Sequence, residues 1–341
     1  MADVAVLGAG SWGTALAVLL AKKGFKVNLW GRNSEQIDSL NRARENLHYL
    51  PGVVIPHGVT ATSDLGESID SAKYIVLSVP SHSIRELCRK IVGLIEEETV
   101  IINTAKGLET DSLKRLSQVI EEELSVKKPH IAVLSGPSHA EEVGRDIPTA
   151  VVAGAHKRQV AEEVQDLFMS PKFRVYTNPD LIGIELGGAL KNVIALGTGI
   201  ADGLGFGDNT KAALITRGVA EMARLGVAAG ANPLTFAGLT GIGDLVVTCT
   251  SMHSRNRRAG IQIGQGIPLE EVLANMGMVV EGVKATAAAF ALSKKYGVPM
   301  PITTETYHVL FENKKPKEAV VDLMLRMKTH EVEEVVTNLK W

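Results

Sequence analysis

Short apolar runs alternate with amphipathic stretches through the first half of the chain. Val4–Leu7 reads as a buried strand, followed by a glycine-rich turn and a helix over residues 14–23, which Gly24 ends in the left-handed position favoured after a helix. Residues 26–30 form the next strand, and residues 74–79, Val100–Asn103 and residues 131–134 are further β-rich runs. Helical periodicity lies between them over residues 83–95, where Ser83 and Glu86 have capping-box spacing, and over roughly 112–124. Two more candidate strands, 149–152 and 174–176, bracket a helix near Arg158–Phe168. This alternation predicts βαβ units and a mostly parallel sheet covered on both faces. From Pro179 onward the period is helical with almost no strand-like alternation. The chain therefore divides into an α/β part, residues 1–178, and an all-helical part, residues 179–341.

Composition narrows the class. The 341 residues carry 36 Lys plus Arg against 38 Asp plus Glu, a net charge of -2, with 45% hydrophobic residues. That balance suits a soluble globular chain with one or two sizeable cores and argues against a dedicated nucleic-acid binder. Glycine is abundant, 33 residues, while aromatics are only 4%, so many tight turns or close backbone approaches are needed. The cysteines, Cys88 and Cys249, offer no CxxC pair, which predicts a reducing, cytoplasmic setting. Residues 4–21 are uncharged, but Gly8, Gly10 and Gly13 interrupt them and no Lys or Arg precedes them, so neither a membrane span nor a signal peptide is expected.

Gly8, Gly10 and Gly13 form a GxGxxG that directly follows a strand and opens a helix. Gly8 permits the tight turn, Gly10 lets a pyrophosphate approach the backbone, and Gly13 lets helix and strand pack closely. A merely flexible turn is the bland alternative. The second strand ends near Arg32, where an NAD-selecting fold usually carries an acid. A cation there suits the 2′-phosphate of NADP, unless Arg32 is a surface residue beside the adenine. In such folds the ligand sits beyond the carboxyl ends of the strands, so Lys106 and the turn from Gly136 to Ala140 should converge on one crevice. Ser138 and Glu141 also match a capping box, so Ser138 could instead serve only to cap a helix.

In the helical part, Ile184, Gly187, Gly188, Lys191 and Ala195 share one helix face. Mid-helix glycines cost about 1 kcal/mol each, so something must pack close to that face. A lysine there loses hydration and can act as an acid or base near neutral pH; a solvated surface lysine is the alternative. Asp244 stands in a glycine-rich turn. Ser254, Arg255, Asn256, Arg257 and Arg258 follow, a set suited to a phosphate or else a solvated basic turn. Glu281, after Val279, precedes a helix, either as a site carboxylate or else only as an acid that favours the helix N-terminus. No HExxH, GxSxG or Walker A motif is present.

Taken together, GAGSWGTALA, NTAKGL, SGPSHAEEV, ELGGALKNVIALGTGIADGL, LTGIGDLVVTCTSMHSRNRRAG and VVEG resemble, in order, the bacterial NAD(P)-dependent glycerol-3-phosphate dehydrogenase family. The resemblance implies an N-terminal Rossmann-type sheet with a helical C-terminal domain. It implies reversible reduction of dihydroxyacetone phosphate to sn-glycerol 3-phosphate, feeding phospholipid synthesis. Ser11, Trp12, Arg32, Tyr49, Ala140, Arg255, Val279 and Glu281 would then contact the dinucleotide. Lys106, Gly136, Ser138, Asp244, Ser254, Arg255 and Asn256 would surround the substrate, with Lys191 as proton donor and acceptor. NADPH is the expected cofactor from Arg32, with NADH admissible. The expected partners are a small phosphorylated substrate and, as a homodimer, a second copy of the chain; nucleic acid and integral membrane contact are not expected. The competing functions are a dehydrogenase of β-hydroxy acids and a non-catalytic NADP sensor.

Overall fold

The computed structural model describes residues 2–327; residues 328–341, the end of the expected helical part, lie outside the described residues. The strands are β1 (Val4–Leu7), β2 (Val27–Trp30), β3 (Glu45–Asn46), β4 (Leu50–Val54), β5 (Val59–Thr62), β6 (Tyr74–Leu77), β7 (Val100–Asn103), β8 (His130–Ser135), β9 (Thr149–Ala155) and β10 (Phe173–Asn178). Eight of them form one sheet in the order β10-β9-β8-β7-β6-β1-β2-β5, and β3 with β4 makes a separate hairpin. Every residue of β1 and β7 is buried, as expected of strands covered on both faces. The helices Ser11–Lys22 and Arg158–Phe168 pack on one face, and Ile84–Ile91 and Leu116–Glu123 on the other. The chain passes from β1 through β2 to β5 and then crosses to β6 on the far side of β1. The carboxyl ends of β1 and β6 therefore flank a topological switch point, where such sheets bind ligands.

Within the eight-stranded sheet all neighbouring strands are parallel except β8 and β9. The helix between them, Ala140–Gly144, has five residues. It rises only about 7.5 Å, against about 20 Å for a six-residue strand. It cannot carry the chain back to the start of β8, so β9 begins where β8 ends and runs the opposite way.

Several expectations need correction. Ser83 does not cap a helix with its side chain: a 3-10 turn, Ser81–Ser83, leads directly into Ile84–Ile91. The helix expected from residue 112 starts at Leu116, because Leu113 is held at φ +59° in the preceding turn. Ser138 does not cap Ala140–Gly144 either; its hydroxyl donates to the Gly136 carbonyl at 3.0 Å. The helix Ser34–Ala43 and strand β5 are additional elements. Asn33 accepts from the Gln36 N–H at 3.0 Å, so the Asn-x-x-Gln spacing was a readable start signal. Val59 and Ala61 bury alternately along the edge strand β5.

After β10 ends at Asn178, the helix Leu181–Gly203 begins, capped by the Asp180 carboxylate accepting from the Gly183 N–H at 2.9 Å. It is long and apolar enough to cross a membrane, but 89% of its most apolar window is buried in the helical core beside Asp208–Ala228 and Glu281–Tyr296. Its partner Arg255–Gly264 meets it through glycines on both sides. A Cβ on Gly199 or Gly203 would collide with the carbonyl of Arg257 or Ile261, and one on Gly260 or Gly264 with that of Leu196 or Ile200. This close crossing sets Ser254, Arg255 and Asn256 beside the middle of the long helix.

Candidate active site

A cavity of about 1010 Å³ opens between the sheet and the helices. Its sheet side is the glycine turn after β1. Gly8 takes φ +127°, and a Cβ there would strike the Ser78 carbonyl of the neighbouring strand end. A Cβ on Gly13 would overlap the Gly8 carbonyl. The Ala9 carbonyl accepts from Gln36 Nε2 at 2.7 Å and Asn46 Nδ2 at 3.0 Å, which fixes the turn. Gly10 differs: a Cβ there would meet no atom within 4 Å and would stand in the cavity. The turn is thus a cradle that a side chain would fill, and it fits a dinucleotide pyrophosphate at the start of the helix Ser11–Lys22. Trp12 Nε1 and His139 Nε2, both on residues lining the cavity, are buried without a hydrogen-bond partner among the described residues.

The floor on the helical side is built around one carboxylate. Gly187 lets the Thr240 carbonyl approach the long helix, and Gly188 lies against Ser135 and the Lys106 side chain, where a Cβ would be 3.1 Å from Ser135 Oγ. These two approaches bring Asp244 and Lys106 to Lys191. Lys191 Nζ donates to Asp244 Oδ1 at 2.5 Å and to Thr248 Oγ1 at 2.7 Å. Lys106 Nζ donates to the other oxygen, Oδ2, at 2.8 Å, to the Gly136 carbonyl at 2.6 Å and to Ser138 Oγ at 3.3 Å.

Burial pushes the Lys191 ammonium down from 10.5 to about 8; Asp244 pulls it back up and Lys106 adds to the fall. Burial also pushes the Asp244 carboxyl up, but the two lysines outweigh it and hold the group below its ordinary value. The pair therefore stays charged at neutral pH, with a lysine that can lose its proton only slightly above it.

Around this floor, Asn192 Nδ2 donates to the Lys106 carbonyl at 3.2 Å, and its Oδ1 accepts from Asn256 Nδ2 at 2.8 Å. Asn256 Oδ1 in turn accepts from the Gly282 N–H at 2.8 Å. Ser254 caps its helix, accepting from the Arg257 N–H at 3.2 Å. Arg255 Nη1 donates to the Val279 carbonyl at 3.1 Å, and burial lowers its pKa against the pull of Glu281 and Glu141. Arg257 turns away to Asp202, 2.8 Å from its Nε, so it is a structural member of the basic run. Glu281 reaches across to the sheet half, accepting from the Ser81 N–H at 3.0 Å and its hydroxyl at 2.6 Å.

Of the residues singled out in the sequence, Gly8, Gly10, Ser11, Trp12, Arg32, Tyr49, Lys106, Ser138, Ala140, Lys191, Ser254, Arg255, Asn256, Val279 and Glu281 border this one cavity. Gly13, Gly136 and Asp244 stand behind its wall, where they shape or hold lining residues. Thr248 and Asn192 were not singled out for the site. Thr248 lies four residues after Asp244 on a helix, a spacing that places both on one face.

A glycine cradle at the switch point of a doubly wound sheet, facing a buried lysine held by a carboxylate, defines a dinucleotide-binding dehydrogenase with a helical second part. Residues 3–161 match the family described as NAD-dependent glycerol-3-phosphate dehydrogenase N-terminus, and residues 180–321 match its C-terminus. The chain belongs to this family. It is 61% identical over 337 residues to glycerol-3-phosphate dehydrogenase [NAD(P)+] of Desulfitobacterium hafniense, covering 98% of this chain and 94% of that one. It is 62% identical over 333 residues to the protein of the same name from Pelotomaculum thermopropionicum, covering 97% and 95%. Among solved structures, glycerol-3-phosphate dehydrogenase from Coxiella burnetii matches with TM-score 0.92 and 41% identity over 95% of this chain and 99% of that one. A D-mandelate dehydrogenase, at 16% identity and TM-score 0.63 over 93% of this chain and 99% of that one, shares the fold alone.

Proposed function

We propose that the protein catalyses the reversible NAD(P)H-dependent reduction of dihydroxyacetone phosphate to sn-glycerol 3-phosphate, with Lys191 as general acid and base. The observation that carries this reading is the pair of lysines on one buried carboxylate, facing the glycine cradle across a single cavity. The 8–13 turn, with Arg32, Tyr49, Ala140, Val279 and Glu281 around it, would hold a nicotinamide cofactor, which when bound would be the source of hydride for the substrate carbonyl carbon. Lys191 Nζ then protonates the carbonyl oxygen, and in the reverse direction takes the proton from the alcohol. Asp244 and Thr248 aim the ammonium. Lys106 places a second positive charge beside the developing alkoxide, and Gly136 and Ser138 orient it. Arg255, at the start of its helix with Ser254 and Asn256, anchors the phosphate and so fixes the carbonyl in place.

NADPH is the cofactor we assign, because Arg32 borders the cavity just beyond β2 and can pair with a 2′-phosphate. The two free, buried cysteines, Cys88 and Cys249, support a reducing cytoplasmic setting. We read residues 1–178 as the dinucleotide-binding domain and 179–341 as the substrate domain.

The test is cofactor oxidation by the purified protein with dihydroxyacetone phosphate, using NADPH and NADH in parallel and β-hydroxy acids in the reverse direction. Turnover of the phosphorylated ketone is expected. Turnover of hydroxy acids alone would overturn the substrate, and cofactor binding without any turnover would favour a sensor.

A further inference from the structure

Away from the lysine site, one end of the cavity gathers cations from both parts of the chain. Arg32 follows β2, His82 lies in the 3-10 turn Ser81–Ser83, Lys90 is on the helix Ile84–Ile91, and Lys284 is near the start of Glu281–Tyr296. All four border the cavity. Lys284 and Arg32 both lie close to the His82 imidazole: burial lowers its pKa most, and these two cations lower it further against Glu281. The carboxylates at this end are already engaged. Glu86 accepts from Lys90 at 2.6 Å, with Arg32 a weaker neighbour, and Glu281 is held by Ser81. Arg32 and Lys284 have no ion-pair partner among the described residues. A lysine near a helix N-terminus also opposes the positive end of the dipole, an arrangement that a bound anion would relieve.

We propose that Lys284 and Arg32 form a two-sided clamp for the 2′-phosphate of NADPH, one cation from each part of the chain. The inference rests on the NADPH preference proposed above and adds the helical part to the choice of cofactor. Arg32 offers a planar fork for two phosphate oxygens and Lys284 a point charge on a flexible stem. NADH carries a neutral hydroxyl at that position, so the clamp gives it nothing to hold.

Isothermal titration of the full-length protein with NADPH, NADH, 2′,5′-ADP and 5′-AMP tests the clamp. Lys284 is exposed on a helix surface, so Lys284→Ala should fold normally. It should weaken NADPH and 2′,5′-ADP about tenfold while leaving NADH and 5′-AMP within about twofold. Lys284→Arg should keep most of the NADPH affinity, and Lys284→Ala with Arg32→Ala should abolish discrimination. Selective NADPH binding by the unmutated protein that survives Lys284→Ala would overturn the clamp and leave the preference standing. Equal affinity of the unmutated protein for NADPH and NADH would overturn the preference, and the clamp with it.

Discussion

Lys191 Nζ lies 2.5 Å from Asp244 Oδ1, with both side chains almost sealed from solvent. A carboxylate that shares its other oxygen with Lys106 cannot neutralise Lys191 alone, so burial decides the balance and the ammonium titrates near 8.

This position gives opposite pH profiles for the two directions. Reduction consumes the protonated lysine and oxidation needs the neutral one. The kcat/KM for dihydroxyacetone phosphate should fall as pH rises through about 8, while that for glycerol 3-phosphate should rise over the same window. Initial rates in both directions between about pH 6 and about pH 10 check this. Parallel profiles would exclude Lys191 as the shared acid and base.

Asp244→Asn removes the charge that holds the Lys191 pKa up, so the inflection should move to lower pH. It also leaves the buried Lys191 ammonium and the half-buried Lys106 ammonium without their shared counter-charge. A stability loss of about 3 kcal/mol or more is expected, read from urea unfolding at pH 7. An unmoved inflection would mean that the carboxylate does not govern the lysine.

Lys191→Met keeps most of the buried volume and removes the proton. The rate should drop at least ~10²-fold in both directions, while NADPH affinity stays within about twofold. Stopped-flow rates paired with cofactor titration separate the two effects, and an unchanged rate would remove Lys191 from the chemistry.

Two glycines should behave oppositely on becoming alanine. Gly10→Ala meets no protein atom within 4 Å, so it should cost less than about 1 kcal/mol in folding yet weaken NADPH binding strongly. Gly199→Ala drives a methyl into the Arg257 carbonyl and should cost about 1–3 kcal/mol. It should also raise the KM for the phosphorylated substrate by displacing Ser254 and Arg255. Urea unfolding with cofactor titration would show whether the two losses separate in this way.

Much of the sheet was legible because its strands are buried on both faces, so Val4–Leu7 and the Val-Ile-Ile that begins Val100–Asn103 read as continuous apolar runs. The edge strand β5 was missed because its four residues, Val-Thr-Ala-Thr, carry little apolar signal. The reversed direction of β9 has no periodic signature at all; it follows from the short helix before it.

By itself the sequence determined which groups could do chemistry: the cradle through strand–GxGxxG–helix, and a lysine on a glycine-lined face. Those signals are local, because backbone conformation and helical period depend on neighbours in the chain. Only the tertiary structure decided the charge state of Lys191, since its pKa balances burial and the Lys106 charge against Asp244, and Asp244 and Lys106 stand 53 and 85 positions away. It also decided which arginines of the run face the cavity: Arg255 and Arg258 border it, while Arg257, between them, is drawn off to Asp202. The excess of glycine has the same division. The sequence could count the glycines, but only the packed helices show that Gly199, Gly203, Gly260 and Gly264 lock one pair of helices while Gly10 leaves room for a ligand.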